Sequence, residues 1–144
     1  MQEVGLRWYG PFDIDDIYDL DFEVLDDYGF YMFLYGNEIV YIGQAYYQFI
    51  RDRIKQHLRG DSVWEWIKEN YNIEQISIKI ATIEYMGQKR VSKQLFNDIE
   101  SLLIITQEPP GNIQNTKTYW GRDLKITNLG KYKPLPRTLS TDMI

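Results

Sequence analysis

The chain contains no cysteine. Disulfide staples and thiolate metal sites are therefore excluded, and a reducing cytoplasm is the expected setting. No apolar run approaches the ~20 residues that span a bilayer. The N-terminus lacks a basic stretch followed by an apolar block, so neither a signal peptide nor a membrane partner is expected. Internal repeats and low-complexity tracts are also missing, which argues against a solenoid. A net charge of −5 weighs, on its own, against nucleic acid as a partner.

What is present is the composition of a folded domain. The chain has 144 residues, 44% hydrophobic and 26% charged, which suits one domain burying roughly two-thirds of its unfolded surface. Charge is divided unevenly. Residues 1–27 carry nine acids against Arg7 alone, and residues 117–144 carry six cations against two acids. This split marks an acidic N-terminal segment (1–27), a core (28–112) and a basic C-terminal extension (113–144). Ordinary surface charge is the plainer reading of the acidic run. The other is that it lies near basic residues and restrains binding to an anionic partner.

Local pattern predicts the elements. In the acidic segment "WYGPF" (Trp8–Phe12) reads as a turn, and a short helix follows Asp13. "GFYMFLY" (29–35) and "EIVYIG" (38–43) read as strands around Gly36-Asn37, a hairpin signal. "YQFIRDRIKQHLRG" (47–60) has helical period, with Gly60 at its end. A second helix starts at Asp61 or Ser62 as N-cap. "ISIKIATIEY" (76–85) alternates as a strand, and "RVSKQLFNDIESLLIITQ" (90–107) carries an apolar helical stripe that ends before Pro109-Pro110. The rest has loop chemistry. The predicted architecture is α+β, a small antiparallel sheet with helices packed on it.

One set of side chains suggests chemistry. Arg53 and His57 share a helix face. Arg51, Lys55 and Arg59 add cations to that helix, and an arginine fork suits phosphate oxygens. Glu100 borders the apolar stripe of its helix, where a carboxylate can hold Mg²⁺ with water and substrate phosphate. A metal, a cation on phosphate and a base for water are the parts of phosphodiester cleavage. Singly, each has a plainer reading: a solvated basic face, a structural histidine, a surface acid, strand tyrosines.

The order of the motifs adds weight. "GFY" (Gly29–Tyr31), "YIG" (Tyr41–Gly43), "RIKQH" (Arg53–His57), Glu100 in "ESLLI" and Asn112 in "PPGN" follow one another from Gly29 to Asn112. This resembles the GIY-YIG nuclease family. The resemblance implies a small three-stranded antiparallel sheet flanked by helices, and DNA strand cleavage with one divalent metal, Mg²⁺ or Mn²⁺. It implies that Tyr31 and Tyr41 line the site, with Tyr31 ranked ahead as helper of the attacking water, and that Arg53 contacts the scissile phosphate. It also implies that Glu100 binds the metal, that His57 matches a histidine of many members, and that Asn112 orients groups or holds the structure. Arg51 is the alternative to Arg53. Gln44 stands where many members have lysine or a small polar residue. The rival reading is a nucleic-acid-binding module that keeps the fold with little or no catalysis.

The shared site carries a register condition. Facing residues across a ladder share a face. A regular two-residue loop at Gly36-Asn37 would pair Tyr31 with Ile42 and send Tyr41 to the other face. The functional reading therefore requires an odd-length loop or a bulge, and the odd-length loop is the expectation.

Overall fold

A computed structural model describes residues 1–115 and 118–144. Residues 116 and 117 of the basic extension lie outside the described residues. Six strands form one sheet: β1 (Gln2–Asp13), β2 (Gly29–Tyr35), β3 (Glu38–Ala45), β4 (Ile76–Tyr85), β5 (Leu124–Gly130) and β6 (Thr138–Ser140). Their spatial order is β3-β2-β4-β1-β5-β6. Among the described residues four α-helices accompany them: α1 (Asp16–Asp19), α2 (Ile50–Leu58), α3 (Ser62–Asn70) and α4 (Lys93–Gln107).

The expectation of a small three-stranded antiparallel sheet is therefore corrected. The sheet has six strands and is mixed, because β1 runs antiparallel to β4 and parallel to β5. The acidic segment begins with β1, in which Val4, Leu6 and Trp8 alternate into the core. "WYGPF" is not a turn. Gly10 and Pro11 fall where the β1–β4 register shifts between Tyr9 and Phe12. A bulge is one of the few sheet positions that tolerates proline, which has no N–H for the ladder. The described part of the extension is not all loop either, since it supplies β5 and β6. In β5, Leu124, Ile126 and Asn128 are buried. Asn128 accepts from Trp8 Nε1 at 2.9 Å and donates to the Pro136 carbonyl at 2.9 Å, so a residue typical of turns is satisfied inside a sheet.

Both sheet faces are covered. On one, Phe30, Met32, Leu34, Leu6 and Trp8 meet Phe96, Ile99, Leu102 and Leu103 of α4. On the other, Tyr31, Phe33, Ile78 and Ile80 meet Ile50 and Ile54 of α2, Trp64 and Ile67 of α3, and Ile17 and Leu25 of the acidic segment. Helix starts follow capping rules. Asp61 caps α3 by accepting from Trp64 N at 2.9 Å, and Ser92 caps α4 by accepting from Leu95 N at 3.1 Å. Helix α2 stops at Gly60, whose φ of +108° suits glycine. Arg122 pins the extension, donating from Nε to buried Asp98 at 2.7 Å and from Nη1 to Gln2 at 2.9 Å. Among the described residues, no helix is long and apolar enough to cross a membrane.

Candidate active site

The hairpin solves its register problem by a bulge. Its tip is a two-residue turn, with Tyr35 opposite Glu38 and Leu34 opposite Ile39, so the odd-length loop does not form. One residue later the register shifts. Val40 is left unpaired, Phe33 faces Tyr41, and Tyr31 faces Gly43. A bulge places two residues of one strand against one of its partner. Tyr31 and Tyr41 consequently share a face. The glycine of "YIG" has a steric cause: a Cβ at Gly43 would fall 2.3 Å from the Tyr31 hydroxyl oxygen. The Tyr31 ring thus reaches across Gly43 towards the outer edge of β3, the last strand of the sheet.

At that edge the Tyr31 hydroxyl lies 2.6 Å from His57 Nε2. His57 is fully buried, with the rings of Phe33 and Tyr41 edge-on at centroid distances of 5.6 and 5.4 Å. Its other nitrogen, Nδ1, lies 2.6 Å from Asp61 Oδ2. The approach is close without being an aligned hydrogen bond, and Nδ1 has no hydrogen-bond partner among the described residues. Burial, with Arg53 adding, lowers the His57 pKa to about 4 against the pull of Asp61. The ring is neutral at pH 7. Burial holds the Tyr31 hydroxyl well above its ordinary pKa, with Tyr41 adding and Arg53 opposing. Tyr41 is half-buried, and its pKa is raised by burial and then by Glu100. Tyr31 has no exposed surface. Tyr41, by contrast, keeps some exposed surface.

The two candidate arginines separate clearly. Arg51 is held by the acidic segment: its Nε pairs with Asp26 at 3.0 Å, and Nη1 and Nη2 donate to the carbonyls of Ile17 and Leu20 at 2.6 and 2.7 Å. Lys55 is drawn the same way, its Nζ lying 5.7 Å from the Tyr18 ring. These two cations, offered by the sequence as phosphate contacts, are engaged by the N-terminal segment. Arg59 is exposed at the end of α2. Arg53 makes one side-chain contact, Nη1 to Gln56 Oε1 at 3.2 Å, and no carboxylate pairs with it among the described residues. Its charge lowers the pKa of Tyr31, Tyr41, His57 and Glu100 alike. It is the cation common to all four.

Glu100 arrives from α4. It is half-buried, and burial raises its pKa against the opposing effects of Gln44, Lys93 and Arg53. Gln44 Nε2 donates to Asn97 Oδ1 at 2.8 Å and to Glu100 Oε1 at 3.3 Å, while Gln44 Oε1 accepts from Lys93 Nζ at 3.1 Å. No group of three or more metal-ligating side chains occurs among the described residues. A half-buried carboxylate with Oε2 free of protein donors among the described residues fits the single-carboxylate mode of Mg²⁺, which keeps most of its waters. Glu100 would hold the ion.

Asn112 has a structural task. Its Oδ1 accepts from Ile42 N at 2.8 Å and its Nδ2 donates to Ile42 O at 2.9 Å. The side-chain amide thus acts as one residue of a further strand and satisfies the β3 edge beside the bulge. Gly111 permits the approach, since a Cβ there would lie 2.6 Å from the Val40 carbonyl. Tyr31, Tyr41, Arg53, His57 and Glu100 are therefore brought together, whereas Asn112, Arg51 and Lys55 face other tasks. Sequence reasoning missed Asp61 as a partner of His57, and Lys93 and Asn97 as partners of Gln44. The four-residue spacing from His57 to Asp61 across Gly60 was the available signal for the first.

No family model matches the chain, and neither does any curated protein or solved structure.

Proposed function

We propose that the chain is a GIY-YIG-type endonuclease, a divalent-metal-dependent hydrolase of DNA phosphodiester bonds. The observation that carries this reading is the Tyr31–His57 contact of 2.6 Å beside Arg53 and Glu100. A proton acceptor, a guanidinium with no carboxylate partner among the described residues and a carboxylate meet at one sheet edge, drawn from β2, α2 and α4.

The protonation states assign the roles. Both tyrosines hold their protons at neutral pH, because their pKa values lie above the ordinary phenol value. His57, with a pKa of about 4, is the neutral base. Tyr41 orients the attacking water at the opening. The proton that leaves with its activation ends on His57 Nε2, through the Tyr31 hydroxyl. Arg53 stabilises charge developing on the phosphate oxygens, an effect that typically contributes about 10²–10³-fold in rate. An arriving phosphate offsets the Arg53 charge and so raises the basicity of His57 towards the useful range. Glu100 would hold the divalent cation, which when bound would supply Lewis-acid polarisation of the phosphate.

A second reading has an observation in its favour. Gln44 occupies Glu100 Oε1, and neither tyrosine is ionised, as befits a DNA-binding module with weak catalysis. Conversion of supercoiled plasmid to nicked circles separates the two. The nuclease reading expects nicking with Mg²⁺, none with EDTA, and none for Glu100→Ala. Binding without nicking in Mg²⁺ and in Mn²⁺ would favour the module.

A further inference from the structure

Asp61 has two oxygens and two duties. Oδ1 accepts from Trp64 N at 2.9 Å and starts α3. Oδ2 lies 2.6 Å from His57 Nδ1. The cap fixes the carboxylate, and the turn at Gly60 brings it back over the last turn of α2. A neutral imidazole presents either a proton or a lone pair at each nitrogen. A lone pair on Nδ1 would lie 2.6 Å from a carboxylate oxygen and be repelled, whereas an N–H dipole is attracted to that charge even off axis, so the proton belongs on Nδ1. Nε2 is then a lone pair, and the Tyr31 hydroxyl at 2.6 Å is its donor. Tyr31, His57 and Asp61 thus form a directed chain that enters the buried layer from the solvent-facing N-terminus of α3.

We propose that Asp61 is a positioning residue for proton removal: it selects the His57 tautomer that can accept the Tyr31 proton and stabilises the imidazolium that forms. In the step, the water O–H bond breaks and its oxygen bonds to phosphorus as the bridging P–O bond of the cut strand breaks; the water proton passes through the Tyr31 hydroxyl to Nε2, and the leaving oxygen takes a proton from solvent. The ring becomes a cation between Tyr31 and the Asp61 carboxylate. It returns to neutral by releasing that proton to solvent after the strand is cut. The consequence for cleavage rests on the nuclease reading, whereas the tautomer assignment does not.

Because the chain has one histidine, its ring nitrogens are observed by long-range ¹H–¹⁵N correlation without ambiguity. The wild-type ring at pH 7 is expected as the Nδ1–H tautomer. Asp61→Asn keeps a good helix cap but presents an amide N–H to Nδ1, which moves the proton to Nε2. The variant is expected to show that tautomer, to bind uncleaved DNA as the wild type does, and to cleave at least about a hundredfold more slowly, as loss of tautomer control does in other acid–base sites. Asp61→Glu is expected to recover part of the rate. An Nε2–H ring in the wild type would overturn the proposal, and that measurement needs no variant to fold. An unchanged tautomer and rate in Asp61→Asn would overturn it too. Absence of wild-type cleavage with the expected tautomers would reject the nuclease reading and leave the assignment standing.

Discussion

His57 should make the protein acid-sensitive in a way one substitution removes. Its folded pKa of about 4 lies below the ordinary value of 6.5. Between those values the unfolded chain binds more protons than the folded one, so stability is full above pH 6.5 and falls as pH drops towards 4. Each pKa unit corresponds to about 1.36 kcal/mol, and integration from pH 7 to pH 5 gives a loss of about 2 kcal/mol from this residue. The charged groups that set the shift are Arg53 on its own helix and Asp61 at the start of α3, while Tyr31 and Tyr41 face it in neutral form. Glu100 acts in the opposite sense, since its raised pKa favours the folded state at lower pH. That contribution cancels when wild type is compared with a variant retaining Glu100. His57→Gln keeps a partner for the Tyr31 hydroxyl and cannot titrate. Urea unfolding at pH 7 and pH 5 should show the wild type losing about 2 kcal/mol more than His57→Gln. Equal losses would refute the argument that burial and Arg53 keep this ring neutral.

Gly43→Ala places a methyl group 2.3 Å from the Tyr31 oxygen, so it should cost about 1–3 kcal/mol in denaturant unfolding and slow cleavage by displacing Tyr31 from His57. Arg51→Ala releases two carbonyls and Asp26; it should destabilise by about 1.5–3 kcal/mol while the cleavage rate per folded molecule stays near wild type.

How much of this was legible in the sequence depends on the range of each interaction. The β2–β3 hairpin, α2, α3, β4 and α4 were readable because periodicity and capping are local. β5 was not, because its partner β1 lies across more than a hundred residues of chain and its Thr, Asn and Gly also spell loop. β1 was hidden by its own surroundings: Val4, Leu6 and Trp8 alternate, yet Gly10-Pro11 looked like a turn and the acids beyond coloured the whole segment. The hairpin condition was readable in kind, since the two tyrosines needed a register break. Whether loop or bulge would supply it depended on Gly111 and Asn112 packing against the Val40–Ile42 edge, a contact from seventy residues away. Arg53 was separable from Arg51 only through the N-terminal segment that holds the latter. Asp61 was readable as a helix cap, and that explanation was complete enough to mask its second oxygen. Gln44, Asn97 and Lys93 share a network only because α4 crosses the end of β3, which no local pattern encodes.

The central claim is that Arg53 and Glu100 act on one phosphate at the β3 edge. Its most direct test is the single-turnover cleavage rate of a labelled DNA duplex in Mg²⁺, measured side by side for wild type, Arg53→Ala, Arg51→Ala and Glu100→Gln. The account predicts a loss of about a hundredfold or more for Arg53→Ala and Glu100→Gln, with Arg51→Ala near wild type once corrected for its folded fraction. Equal rates for the wild type, Arg53→Ala and Glu100→Gln would contradict it.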